Sequence, residues 1–462
     1  MKGKFILLMG LLLLSGILQT TAQPQLTIKY TKLFATYDFV QRLSFHYPDN
    51  AYKQVFQNSS FNTQHYRDLI TQFDTLNLYE SYSFRGYPMG QKIPVMTTSI
   101  IQKNLIQASS VAEFKRMTFG IIPNSELIPL SNIIAEFETV YDELVYQPHK
   151  EKITIQMKDL ENYVAQVNLV SFLEKGLNFY NAAWDSSIPI EISIIPTIHE
   201  NGFTATAFMN QVMSELPINF KQYPVLFSVF MHEIYHIVYN EQSLATKLQI
   251  ENWFHYHPSP HRQYAYLLLN EALATAFGNG YVYEQLNGEV DKDDWYFNKY
   301  INLMAKAIYP LVNEYADNNK PIDKRFVEEY IAVYDAQFAA WRNEWDHLFT
   351  YRFVISDHPD DIKYFRANYP YASFDLSEVP LDQGALERMK ATPITKIVVV
   401  SDQHALQLKR IKSIFEELNT WEFNAQEEFV QVFDLKDKTR LFIINQHQSA
   451  LKELCNAYWN EN

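Results

Sequence analysis

Residues 229–238 read Val229-Phe230-Met231-His232-Glu233-Ile234-Tyr235-His236-Ile237-Val238. This stretch decides the fold around it. It lies in an apolar run that reads as a helix, and Pro224 upstream suits a first helical turn. Between Lys221 and Glu241 the one formally charged residue is Glu233, so the helix is expected to be buried. On a helix, residues four apart stand one turn above each other on the same face. His232 and His236 can therefore grip one metal ion, with Glu233 beside a water on that ion. A charged Glu and two His on a buried helix need such a reason, because burial without partners is costly.

Working outward, Ile188 to Ile195 reads as a strand, 203–209 as a second and 210–216 as a third. Downstream, 224–345 reads as almost wholly helical. Residues 23–187 form an N-terminal, mostly helical region, clearest over 130–146 and 155–180. From 346 the pattern alternates. Strands are expected at 351–357, 397–402, 429–433 and 441–444, with a helix reaching Leu418 and a last one over 449–459. The fold class is α+β: a mostly helical domain over 188–345 with a small sheet before the His-Glu-His helix, and an α/β domain over 346–462. The Ser-Asp pairs ending two of these strands, Ser356-Asp357 and Ser401-Asp402, read as helix N-caps.

The first 22 residues read as a signal peptide. Lys2 and Lys4 precede the apolar stretch Phe5 to Leu18, and Thr20-Thr21-Ala22 supplies small residues for cleavage. The apolar stretch is short for a membrane span. The chain is expected to be exported, periplasmic or extracellular, beginning near Gln23 with no integral membrane span. Export permits disulfides, yet Cys455 is the one cysteine. Stability must come from packing, for which a composition 47% hydrophobic and 15% aromatic is sufficient. The net charge of -14 argues against nucleic acid as a partner.

A catalytic metal site commonly takes three protein ligands and keeps one open position. A third His at the spacing HExxHxxGxxH is absent, because Tyr239 and Gln242 occupy the Gly and His positions. Glu271, within Leu267 to Phe277, is the one acidic residue between Glu251 and Glu284. Ala272, Ala274 and Ala276 beside it let this helix approach the first closely.

His232-Glu233-x-x-His236 followed by Asn270-Glu271-Ala272-Leu273-Ala274 resembles the gluzincin metallopeptidases, the thermolysin-like group. The resemblance covers residues 188–277. It implies a zincin-like catalytic domain in which Zn2+ is held by His232, His236 and Glu271. It also implies Glu233 as general base and a peptide or protein substrate cut at an amide bond. In that family a Tyr or His after the Glu ligand steadies the oxyanion. Tyr281, Tyr283, Tyr309 and Tyr315 are available, and Tyr309 is favoured because Tyr309-Pro310 marks a helix break. Two departures stand out. The gap between His236 and Glu271 is long, and its His255, His257 and His261 offer alternatives to Glu271 as a ligand. Thr275 also stands where the family often places an Asp to hold a metal-binding His. The alternative reading is a catalytically inactive binding or scaffold protein on a zincin fold.

Overall fold

The computed structural model describes residues 23–198 and 202–461. The signal-peptide expectation falls on residues 1–22, outside the described residues. Within them the chain is α+β, with helices dominating. No helix among the described residues is long and apolar enough to cross a membrane.

The chain opens with strand β1 (Leu26–Lys29) and helix α1 (Lys32–Leu43), then two short strands, β2 (Ser81–Tyr82) and β3 (Val95–Met96). Helices α2 (Asn124–Tyr141) and α3 (Gln147–Val167) complete the frame of the N-terminal region. Next come β4 (Ile190–Thr197), β5 (Thr206–Phe208) and β6 (Gln211–Pro217), where the alternating pattern placed them. The sheet order is β1-β4-β6-β5. β1, β4 and β6 are parallel, whereas β5 runs antiparallel to β6 and forms a sheet edge. β1 is a strand the sequence did not announce. It stitches the N-terminal region into the sheet, and its Lys29 pairs with Glu191 on β4. Arg42 of α1 reaches both Asp38 and Glu215 of β6. The N-terminal helices therefore share their core with the sheet: Ile195 of β4 packs among Phe34, Val40 and Ile134.

Helix α4 (Tyr223–Asn240) carries the His-Glu-His motif. Its back face is fully buried, with Phe227, Phe230, Met231, Ile234 and Tyr235 all inaccessible to solvent. Each such side chain contributes about 1.5–3 kcal/mol. The packing is close enough to demand a glycine. A Cβ at Gly176 would fall 2.4 Å from the Tyr235 ring, while the Tyr235 hydroxyl donates to the Phe172 carbonyl at 3.2 Å. Helix α5 (Arg262–Ala274) crosses α4 and runs directly into a π-helical segment, Thr275–Val282. Helices α6 (Lys299–Asp317) and α7 (Lys324–Gln337) pack behind them.

The C-terminal unit is an α/β sheet of order β10-β11-β9-β7-β8. Its strands are β7 (Tyr351–Ser356), β8 (Phe374–Glu378), β9 (Thr395–Val400), β10 (Phe429–Asp434) and β11 (Arg440–Asn445). All neighbours are parallel except the β10–β11 pair. β8 had no clear signal, since its sequence FDLSE mixes apolar and acidic residues. The Ser-Asp pairs do not cap helices. The N-cap residues are His358 and Gln403, neither with a side-chain cap bond. Asp357 instead accepts from the Leu381 amide at 3.0 Å. Cys455 is buried and free, so the fold relies on packing.

Candidate metal centre

α4 and α5 bring three ligand-type side chains together. The Nε2 atoms of His232 and His236 lie 3.0 Å apart. Glu271 Oε2 is 3.4 Å from His236 Nε2 and 3.8 Å from His232 Nε2. A metal bonded at about 2.0–2.1 Å to tetrahedral ligands holds their donor atoms about 3.3 Å apart. The three observed separations bracket that value. Among the described residues this is the one group of His, Cys, Asp and Glu side chains gathered tightly enough to hold an ion.

Proton bookkeeping points the same way. His236 Nδ1 faces Asn270 Oδ1 at 3.1 Å, so Nδ1 carries the hydrogen and Nε2 presents a lone pair. His232 Nδ1 turns to the Asn279 side chain and the Ala274 carbonyl, which likewise frees its Nε2. Two lone pairs and a carboxylate oxygen thus converge, and Glu271 Oε2 is buried with no hydrogen-bond donor. Such a pocket needs positive charge at its centre.

The titration behaviour reflects this demand. Burial, reinforced by His236, drives the His232 pKa down to about 3. Burial also works against charge on His236, but the Glu271 carboxylate outweighs it and lifts its pKa to about 9. Burial likewise opposes ionisation of Glu271, yet His236 holds it at about 2. His236 therefore keeps a proton on the pocket's own terms, and a divalent cation would answer the same need. Glu233 stands apart from the ligand trio. Burial pushes its carboxyl up to about 7, where it can take and return a proton near neutrality, and the Ala207 amide of β5 bonds to it.

The π-helical segment explains how the missing Asp is replaced. Its i→i+5 bonding widens the turn after Glu271. Thr275, at the position where an Asp was awaited, is fully buried and its hydroxyl has no partner. Three residues on, Gly278 lies flush against His232, and a Cβ there would sit 2.6 Å from the His232 Cα and backbone nitrogen. Asn279 then reaches His232, doing from a later position what an Asp would do from position 275. An α-helical count cannot foresee this, because the pitch changes between ligand and partner.

Tyr296 is the residue that sequence reasoning missed. It lies in the loop before α6, stacks on His232 with ring centroids 5.8 Å apart, and hydrogen-bonds Glu271. The available signal was an aromatic triplet, Trp295-Tyr296-Phe297, set in an acidic loop. Tyr309, the expected oxyanion donor, is placed elsewhere. Its hydroxyl donates to Glu284 and its ring meets Trp295 edge-on. The expected break at Tyr309-Pro310 is also absent, since α6 continues through Pro310. The insertion histidines stay out of the trio: His261 pairs with Asp335 at 2.8 Å, and His257 accepts from the Ser259 amide at 3.2 Å.

Comparison with known proteins adds no relative: no family model, no curated protein and no solved structure matches the chain.

Proposed function

We propose that this chain is an exported, zinc-dependent peptidase of the gluzincin kind, with a zincin-like catalytic domain built on α4 and α5. The observation that carries the reading is the convergence of His232 Nε2, His236 Nε2 and Glu271 Oε2 in a buried pocket, with Glu233 one residue from a ligand. Soft-metal selection does not apply to a two-imidazole, one-carboxylate set with room for a fourth partner, and zinc suits it best. When bound, zinc supplies Lewis acidity, polarising a carbonyl and making water easier to deprotonate near neutral pH.

The chain's own residues do the rest. Glu233 takes the proton from the attacking water and passes it to the departing amine nitrogen. Its raised pKa suits both halves of that task. Asn270 and Asn279 hold the two imidazoles in one tautomer. The Tyr296 hydroxyl, already at the pocket, supplies a donor for charge developing on the carbonyl oxygen. β5 offers a free edge beside Glu233, to which an extended peptide backbone can add as a further strand.

The test is direct. Purified protein should carry about one zinc per chain, by analogy with three-ligand catalytic sites. Glu233→Gln should keep that zinc and lose peptide hydrolysis. Protein that neither retains nor takes up zinc would overturn the proposal.

A further inference from the structure

A groove of ≈ 590 Å³ opens beside His236, between β5 and the segment 92–96 of the N-terminal region. Its walls are apolar: Ile93, Val95 and Met96 on one side, Phe208 of β5 opposite, and Ile237 of α4 at the base. Ile93 is 45% exposed although nothing polar surrounds its side of the groove. The one charged pair at the rim, Lys92 and Glu241, is mutually neutralised at 2.6 Å.

The segment forming the outer wall is not a loose loop. The Ile93 amide donates to Asn240 Oδ1 at 2.6 Å, and Gln91 accepts from the buried Tyr239 hydroxyl. Asn240 ends α4, the helix that carries His236. Both walls are thus fixed to the element that holds the metal-type ligands, so the groove and the chemistry move together. The groove is also continuous with the free edge of β5, where the Ala207 amide meets Glu233. A peptide lying along that edge projects alternate side chains to opposite faces, and one of them enters the groove.

We propose that this groove is a specificity pocket that selects a bulky, uncharged apolar side chain close to the scissile bond. The proposal rests on the peptidase reading above and adds to it the substrate class. An isolated charge entering the groove would meet neither a free counter-charge nor ample water. A large apolar side chain would bury surface against five apolar walls. The volume falls in the range of small-ligand pockets, enough for one large side chain with its adjoining backbone.

The experiment uses full-length, zinc-loaded Glu233→Gln protein, so that binding is read without turnover. The probes are blocked hexapeptides varied one position at a time among Phe, Leu, Ala and Asp. At one position, Phe and Leu should bind about 10- to 100-fold more tightly than Asp. Met96→Lys and Ile93→Asp should abolish that preference while zinc content and thermal stability stay unchanged, since both side chains stand at an open wall. Equal binding of Phe and Asp at every position, or a preference untouched by both wall substitutions, would overturn the pocket. Cleavage of a peptide library by the native chain is read separately. Turnover without apolar enrichment sinks the pocket and leaves the peptidase reading standing. Apolar-selective binding with no turnover by the native chain sustains the pocket and removes the peptidase reading.

Discussion

Gly278→Ala probes whether the seat of the π-helical segment on α4 sets the metal centre. The added Cβ would lie 2.6 Å from the His232 Cα and from its backbone nitrogen. Non-bonded carbons rest at about 3.5–4.0 Å, so the two segments must part by about 1 Å. Neither contacted atom is the tip of a flexible side chain, and backbone cannot swing aside. Both partners carry ligands: α4 holds His232 and His236, and α5, continuous with the π segment, holds Glu271. Metal–ligand distances tolerate only about 0.2 Å of error. Zinc affinity should therefore fall about 10- to 100-fold. Overpacking should also cost about 1–3 kcal/mol of stability. The assay is zinc titration against a competing chelator, run well below the unfolding temperature, with thermal unfolding of metal-free protein alongside. A Gly278→Ala chain that binds zinc as tightly as the native one would refute the reasoning, whatever its stability.

Three further outcomes follow from the same structure. Asn279→Ala should weaken zinc about tenfold, with Asn279→Asp restoring most of it, because either side chain can accept from His232 Nδ1; the same titration reads it. Tyr296→Phe should lower kcat by about tenfold or more with zinc content unchanged, whereas Tyr309→Phe should leave kcat alone; steady-state kinetics with metal analysis separates them. Lys247 is 1% exposed, bonds the Tyr239 carbonyl at 2.6 Å, and burial brings its pKa from 10.5 down to about 7. The unfolded chain binds that proton more readily, so stability present above pH 10.5 is lost as pH falls towards 7. The loss is on the order of a few kcal/mol. Lys247→Met should flatten this pH slope in urea unfolding, and an unchanged slope would exclude Lys247 as its source.

Much of the fold was legible in sequence because it rests on local periodicity. The buried helix 223–240, the strands at 190–197 and 211–217 and the alternating C-terminal unit all announce themselves through apolar spacing. β1 and β8 did not. Four residues of mixed character become a strand only when a long-range partner such as β4 is waiting. The same division runs through the site. His232, Glu233 and His236 are fixed by helical pitch, and Glu271 by its isolation among apolar neighbours. Their meeting with Glu271 depends on how two helices cross, which spacing alone does not set.

The sequence by itself determined a buried helix with two imidazoles on one face, a carboxylate beside them and a second helix carrying a lone Glu. Only the tertiary structure decided the residues around that core. It put Asn279, not position 275, against His232, because the helix changes pitch after Glu271 and a glycine lets the two backbones touch. It brought in Tyr296 and sent Tyr309 to Glu284. It also laid residues 92–96, far upstream in the chain, along the mouth of the site. Periodicity records which face a residue shares with its near neighbours; what it meets across the core is settled by packing between elements distant in sequence.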